Sequence, residues 1–399
     1  MPKCVLAFSG SLETLAAVPW LKEHRNLDVV TLSVNLGHEA DLEELGERAL
    51  MAGAVAARIE DLRDSFFKDF IAPSLRALAH YETHYLLSTA LSRPLVAREL
   101  VRVALEEGAT CVAHGCSGSG NDQVRLEAGI QALGPHLKIV APQREWEFHS
   151  TEQCLQYARA KRLEVSSLQA AALKYKYDLN LWGQSIKCRA FDDPSQAPQE
   201  EAYTLTQSPL DAPGKPEEVE LEFRAGLPVA MDGKRMPSVT LIEKLGELAG
   251  NHAVGRADMI EDRLVGFKSH EIYEAPAATA LYVAKRGLEQ MTLSRETLQV
   301  REGLSTAYGR CVYNGQWFSD LREALDAFYE RMNLNVTGKV TLRMYKGTAT
   351  VVARSSEFSL YSSSQAADGQ SGELKPETAE GFIKVWSMPL TAEARRKKA

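Results

Sequence analysis

Over roughly the first 165 residues, short apolar runs alternate with amphipathic stretches of helical period, and this alternation most constrains the fold. Lys3–Phe8 is apolar and leads into the polar turn Ser9-Gly10-Ser11 and an amphipathic stretch to Arg25. Leu27–Val34 is a second apolar run, Leu42–Met51 has helical period, and Ala54–Ile59 is a third strand candidate. After a long helical region, Leu87–Glu107, the segments Thr110–His114 and Leu137–Ala141 repeat the pattern. Fully apolar strands separated by helices imply a parallel sheet covered on both faces, a doubly wound α/β domain. Such sheets bind ligands beyond the carboxyl ends of their strands, which singles out the loops after Phe8 and His114.

From about Glu164 the pattern changes. Asp192–Glu222 carries five prolines and many acidic residues, as expected of a wrapped connection. Helical Val239–Ala249 and strand-like Arg263–Lys268, Cys311–Asn314, Lys339–Tyr345 and Ala349–Arg354 predict an α+β second domain. Ser355–Gly372, rich in Ser, Gly and Gln, reads as a loop, and the basic run Arg395–Lys398 as a solvated end.

The 399 residues, 45% hydrophobic and 25% charged, suffice for two or three units with a large core. A formal charge of −7 disfavours nucleic acid as a partner, because phosphate binding needs a basic face. The sequence holds no apolar run of 18 residues, so no membrane partner is expected. Its opening apolar stretch is too short for a secretory signal. Six scattered cysteines without a C-x-x-C pair suit buried thiols in a reducing cytoplasm.

The order strand, Ser9-Gly10-Ser11-Leu12-Glu13-Thr14, helix presents free backbone N–H groups and the positive end of a helix dipole to an anion. An N-capped helix following a strand would read the same way. The absence of Gly-Lys-Ser/Thr excludes a Walker A loop. The second loop, His114-Gly115-Cys116-Ser117-Gly118-Ser119-Gly120-Asn121-Asp122-Gln123-Val124-Arg125, has three glycines that let backbone approach a ligand. Its G-x-x-G-x-G order differs from the dinucleotide fingerprint.

These two loops, with Tyr81–Pro94 (YETHYLLSTALSRP), Val254–Ala277 (VGRADMIEDRLVGFKSHEIYEAPA) and Val312–Phe328 (VYNGQWFSDLREALDAF), resemble the argininosuccinate synthases, N-type ATP pyrophosphatases with a PP-loop. The resemblance runs over nearly the whole chain. It implies a PP-loop nucleotide-binding domain over 1–165, a synthetase and oligomerisation domain over 166–362, and a C-terminal arm over 363–399 that helps build a homotetramer. It also implies a ligase whose substrates are Mg-ATP, aspartate, and citrulline or a ureido analogue. The ureido oxygen attacks the α-phosphorus with loss of pyrophosphate, and the aspartate amine then displaces AMP.

By the same resemblance, Ser9, Gly10, Ser11, Thr14, Val34, Gly115 and Ser117 match nucleotide positions. Ser117, Asn121 and Asp122 match the aspartate positions, and Tyr85, Asn121, Arg125, Lys176, Ser185, Glu261 and Tyr273 those of the ureido substrate. Asp122 would face an ammonium and Arg125 could fork onto a carboxylate, which makes these two the catalytic candidates. Tyr85 and Tyr273 also read as core aromatics, and Arg125 as a helix-surface charge.

The chain departs from the family pattern at identifiable places. The loop S-G-G-L-D-T-S has Ser11, Glu13 and Leu15 in place of its second Gly, its Asp and its last Ser. Ser11 adds a Cβ where positive φ or a close phosphate could require none, and Leu15 deletes a hydroxyl. His38, Ser88 and Ser119 replace a Gln, a Gly and a Lys, and K-Y-K-Y-D-L-N replaces P-[YW]-S-x-D-E-N, which puts Lys176 where a Ser is expected and Leu179 where a Glu is expected. Lys176 is expected to meet an additional anion or to pair with Glu261. Three readings are open: an argininosuccinate synthase with tolerated drift, a ligase for another ureido acceptor, and a catalytically weak nucleotide- or ligand-binding paralogue. His80 and His84 have a zinc-compatible spacing on an expected helix, but Tyr81 stands where H-E-x-x-H has Glu, so no metal site is assigned.

Overall fold

The computed structural model describes residues 1–37, 42–163, 165, 175–188, 193–362 and 376–397. His38, Glu164, residues 363–372 of the expected C-terminal loop, and Lys398 lie outside the described residues. Strands β1 (Lys3–Ala7), β2 (Asp28–Asn35), β3 (Ala56–Asp61), β4 (Cys111–Ala113) and β5 (Lys138–Val140) form a parallel sheet in the order β3-β2-β1-β4-β5.

Alternate residues of these strands enter two different cores. Cys4, Leu6 and Val29 pack with Leu15 and Val18 of α1 (Leu12–Arg25) and Leu45 and Ala49 of α2 (Leu42–Met51). Val5, Val30 and Val112 pack on the other face, with Leu100 and Ala104 of α3 (Ser88–Glu106) and Leu126 and Ile130 of α4 (Asn121–Leu133). Burial on both faces is why the strands read as continuous apolar runs. The chain runs from β1 to β2 on one side and from β4 to β5 on the other, so the connections leaving the carboxyl ends of β1 and β4 part and leave a crevice between them.

The second half carries two antiparallel sheets. Strands β6 (Lys176–Asn180), β7 (Gly183–Lys187), β11 (Arg256–Asp262) and β12 (Lys268–Glu274) pair in the order β11-β12-β7-β6. Strands β8 (Glu217–Arg224), β9 (Leu227–Met231), β10 (Lys234–Arg235), β13 (Gly338–Tyr345) and β14 (Thr348–Ser355) pair as β10-β9-β8-β13-β14. Helices α5 (Ser238–Asn251), α6 (Pro276–Thr292), α7 (Arg295–Tyr313) and α8 (Asp320–Asn333) pack with them.

Four expectations are corrected. Arg263–Lys268 is not a strand but the turn joining β11 to β12, closed by Gly266 at φ +93°. Its Leu264, Val265 and Phe267 supplied a misleading apolar run. Cys311–Asn314 is the end of α7, where Cys311, Val312 and Tyr313 are all buried; a short run of a buried helix cannot be told from a strand by period alone. The proline-rich connection ends at Glu217, where β8 begins. His80 and His84 flank a turn held by a Tyr81–Tyr85 bridge, with Glu82 and Thr83 at positive φ, so they share no helix face.

A fully buried ion cluster ties α6 to α7: Lys285 donates to Glu289 and to the Arg76 carbonyl (2.9 Å), and Arg301 lies 3.0 Å from the other Glu289 oxygen. Glu289→Ala leaves buried Lys285 without its anion and Arg301 with only the more exposed Glu302, and a loss of about 3–5 kcal/mol is expected in urea unfolding. A loss below about 1 kcal/mol would mean that the cations relax to water.

Candidate functional site

The loop after β1 is shaped by one residue that must be glycine. Gly10 has φ +71°, and a Cβ there would lie 2.2 Å from Leu45 Cδ2. Its carbonyl accepts from Arg48 Nη2 at 3.1 Å. Ser11 has φ −64° and ψ 160°, extended backbone that any residue adopts, and its hydroxyl caps α1 by accepting from the Thr14 amide (3.4 Å). The serine in place of the usual second glycine therefore costs no backbone strain and supplies an N-cap. Leu15 is buried in the core shared by β1, α1 and α2, so it acts as packing.

Ser9, Ser11 and Thr14 line a cleft of about 390 Å³ together with Val34, Gly115, Cys116, Arg93, Asp178 and Leu179. The second loop presses against the first: a Cβ on Gly115 would meet Thr14 Cγ2 at 2.8 Å. Only glycine lets the two loops share one crevice. Its apolar wall (Phe8, Leu36, Val96, Leu126) and hydroxyl-lined mouth suit a ligand with a flat ring and an anionic tail. Burial pushes the Cys116 thiol up to about 12, which removes it as a nucleophile. Ser117 and Ser119 are exposed on the loop.

Next to the cleft, Tyr85, Asn121, Asp122, Arg125, Ser185, Glu261 and Tyr273 line one small polar pocket with Thr89, Lys187, Arg263 and Glu271. The chain brings them from α3, α4, β7, β11 and β12. Both Glu261 oxygens are engaged, by Tyr273 OH at 2.7 Å and Tyr313 OH at 2.6 Å. Asn121 Nδ2 donates to Tyr313 OH (2.8 Å), and its Oδ1 accepts from the Leu264 amide (3.0 Å). Tyr85 stacks on Tyr273 with centroids 4.0 Å apart, and Thr89 donates to Ser185 at 3.3 Å. Burial pushes the Glu261 carboxyl above its ordinary value, against the two tyrosine hydrogen bonds.

Arg125 is only 4% exposed, so it is not a helix-surface charge. It donates to the Tyr313 carbonyl (2.8 Å) and to Asp122 (3.0 Å), and its guanidinium lies over the Tyr313 ring. Asp122 also accepts from Arg93 at 3.1 Å, and Arg93 in turn pairs with Asp178. Burial alone would raise the Asp122 carboxyl, but Arg93, Lys187 and Arg125 outweigh it and hold it well below the usual carboxylate range.

Lys176 departs from expectation. It pairs with neither Glu261 nor the residues around it. Its Nζ lies 3.1 Å from Glu13 Oε1, on the phosphate loop itself. Beyond the other lining residues, Arg93, Asp178 and Tyr313 contact the predicted site residues although no motif assigned them. Arg93 and Asp178 lay inside quoted motifs, and only their ion pair reveals them. Tyr313 was hidden by the strand assignment; a helix reading would have turned it toward the pocket.

Residues 3–164 match the model of the arginosuccinate synthase N-terminal HUP domain, and residues 175–393 that of the C-terminal domain. The chain belongs to the argininosuccinate synthase family. An argininosuccinate synthase of Chlorobium luteolum is 44% identical over 97% of this chain and 96% of its own length. Those of Roseiflexus sp. and Symbiobacterium thermophilum are each 45% identical, over 98% and 100% of this chain and 96% and 98% of their own lengths.

The depressed Asp122 carboxyl makes a testable sign. Its contribution to stability is present above the unfolded value of about 3.9 and is lost as pH falls through its lower folded value. The melting-temperature deficit of Asp122→Asn should therefore be constant from about pH 5 to 8 and shrink only in stronger acid. A deficit that rises steadily between pH 6 and 8 would mean that another group carries the effect.

Proposed function

We propose that this chain is an ATP-dependent C–N ligase making argininosuccinate from citrulline and aspartate, with AMP and pyrophosphate as the other products. What carries the reading is the adjacency of a two-loop anion cleft and a polar pocket into which Tyr85, Asn121, Asp122, Arg125, Ser185, Glu261 and Tyr273 all converge. The family relationship over the whole chain supports it. The pocket keeps the matching side chains, and Lys176 does not line it, which favours citrulline over another ureido acceptor.

In this reading the loop Ser9–Thr14 holds the β- and γ-phosphates on the amide end of α1, and Gly115 lets the nucleotide lie across both loops. The ureido oxygen of citrulline attacks the α-phosphorus, forming a P–O bond as the bond to pyrophosphate breaks. The aspartate ammonium loses a proton to solvent, the free amine attacks the ureido carbon as the C–O bond to AMP breaks, and the new nitrogen gives up a second proton to solvent. Asp122, ionised at all physiological pH, is a poor base and a good partner for the aspartate ammonium. It and Arg125 act by positioning, and Glu261, held by two tyrosines, shapes the acceptor pocket. Among the described residues no group of three or more His, Cys, Asp or Glu side chains is placed to hold a metal. The hydroxyls of Ser9, Ser11 and Thr14 fit Mg²⁺ held chiefly by phosphate oxygens and water, where it would neutralise phosphate charge.

The division at 1–165, 166–362 and 363–399, a homotetramer and a cytoplasmic setting belong to the same reading. Among the described residues no helix is long and apolar enough to cross a membrane. The helices Pro376–Trp386 and Met388–Arg396 expose Phe382, Ile383, Val385, Trp386, Met388 and Leu390 by more than half each, which supports burial against other subunits.

Purified protein with Mg-ATP, aspartate and citrulline should release pyrophosphate and AMP in equal amounts. Release only with a different ureido acid would replace citrulline as acceptor, and ATP binding without release would favour a ligand-binding paralogue. Tyr313→Phe keeps the ring under Arg125 and removes the hydroxyl shared by Asn121 and Glu261. It should raise the citrulline KM by roughly 10–100-fold while leaving the ATP KM within about twofold.

A further inference from the structure

Lys176 is half-exposed (59%) on β6, and its ammonium meets Glu13, a residue of the phosphate loop. Side chains two apart on a strand point to the same face. Asp178, two residues on, reaches Arg93 and through it Asp122, so one face of β6 spans both halves of the site. Asp178 lines the nucleotide cleft, and Lys176, just outside that lining, lies beside Glu13 of the phosphate loop. Glu13 leaves α1 between the two loops, since a Cβ on Gly115 would lie 3.9 Å from Glu13 Cβ. A carboxylate there favours the helix dipole but repels a polyphosphate drawn to the same dipole.

The cations nearby differ in what holds them. Arg93 bridges two carboxylates, and Arg48 donates to the Gly10 carbonyl, which keeps the loop in shape. Lys176 has a flexible four-carbon stem and a pairing in a solvent-exposed setting, where an ion pair is cheap to exchange. A second anion arriving at the loop would compete directly with Glu13 for it.

We propose that Lys176 is a phosphate-binding residue of this ligase: its ammonium rests on Glu13 and transfers to the β,γ-phosphate oxygens of ATP, and Glu13 thereby sets how tightly ATP and pyrophosphate are held. This rests on the reading of the cleft as an ATP site. Transfer neutralises charge on the pyrophosphate leaving group and shields it from Glu13. Return to Glu13 gives pyrophosphate a way out.

Calorimetry with Mg-ATP and with Mg-pyrophosphate on the full chain tests the proposal, alongside KM values for all three substrates. Lys176→Met should weaken both anions by about tenfold and leave the citrulline and aspartate KM within about twofold. Lys176→Arg should restore most of the affinity. Glu13→Gln, which frees Lys176, should tighten pyrophosphate by a few-fold, the opposite sign from Lys176→Met. If both variants bind ATP and pyrophosphate as the unaltered protein does and only the melting temperature falls, the pair is a structural clasp and the proposal is wrong. A citrulline KM that rises alone in Lys176→Met would make Lys176 an acceptor-reading residue and overturn it equally. Failure of the ATP-site reading itself shows elsewhere, as absent ATP binding by the unaltered protein.

Discussion

The site hangs on one anion, the Asp122 carboxylate, held between two guanidiniums that come from different helices. Arg93 on α3 and Arg125 on α4 reach it, and Arg93 also takes Asp178 from the antiparallel sheet. Four charges from three elements thus join the parallel sheet to the second half at the place where the two cavities meet. Each is costly to bury alone and acceptable only because the others are there. The surrounding cations leave the Asp122 carboxylate with little tendency to take a proton. That does not suit a general base.

How much of this was legible in the sequence depends on the kind of signal. The parallel sheet was readable because its central strands β1, β2 and β4 are buried on both faces, and short apolar runs alternating with helical stretches point to a covered parallel sheet. The two loops were readable because glycine at Gly10 and Gly115 answers to steric demands that no other residue meets. The convergence of Tyr85, Ser185, Glu261 and Tyr273 came from family resemblance, since they lie far apart in the chain and no periodicity links them. Arg93, Asp178 and Tyr313 stayed hidden, because an ion pair between residues 85 apart leaves no trace in local pattern. The turn at Gly266 and the end of α7 were misread for one reason. A short apolar run reads alike whether it lies in an exposed turn, as Val265 and Phe267 do, or at the buried end of a helix.

The departures from the family pattern look like damage one at a time, and the structure groups them differently. Ser11 occupies extended backbone and caps a helix, so its Cβ intrudes on nothing that needed glycine. Leu15 fills the apolar core. Glu13 and Lys176, separated by more than 160 residues, are in contact, so a lengthened carboxylate on one wall and a cation on the other form one feature. A carboxylate lengthened by one methylene reaches further from the helix, and a lysine is the side chain able to meet it and still move away. The change alters how charge at the loop is balanced and leaves the backbone that makes the loop untouched.

The same economy runs through the pocket. Glu261, pushed upward by burial, has both oxygens taken by tyrosine hydroxyls; Cys116 is half-buried and its thiol is pushed up by desolvation; Asp122 is held in its ionised form. Neither Cys116 nor Asp122 is poised to attack or to shuttle a proton near neutral pH, and both Glu261 oxygens are occupied by tyrosine hydroxyls. A reaction whose nucleophiles are an oxygen and an amine of the substrates needs no such group. It needs three molecules held in line, one highly charged and one zwitterionic, against their tendency to drift apart in water. Fixed amides, paired ions and a stacked aromatic wall meet that requirement, and they explain why the residues that matter here are almost all already bonded to one another.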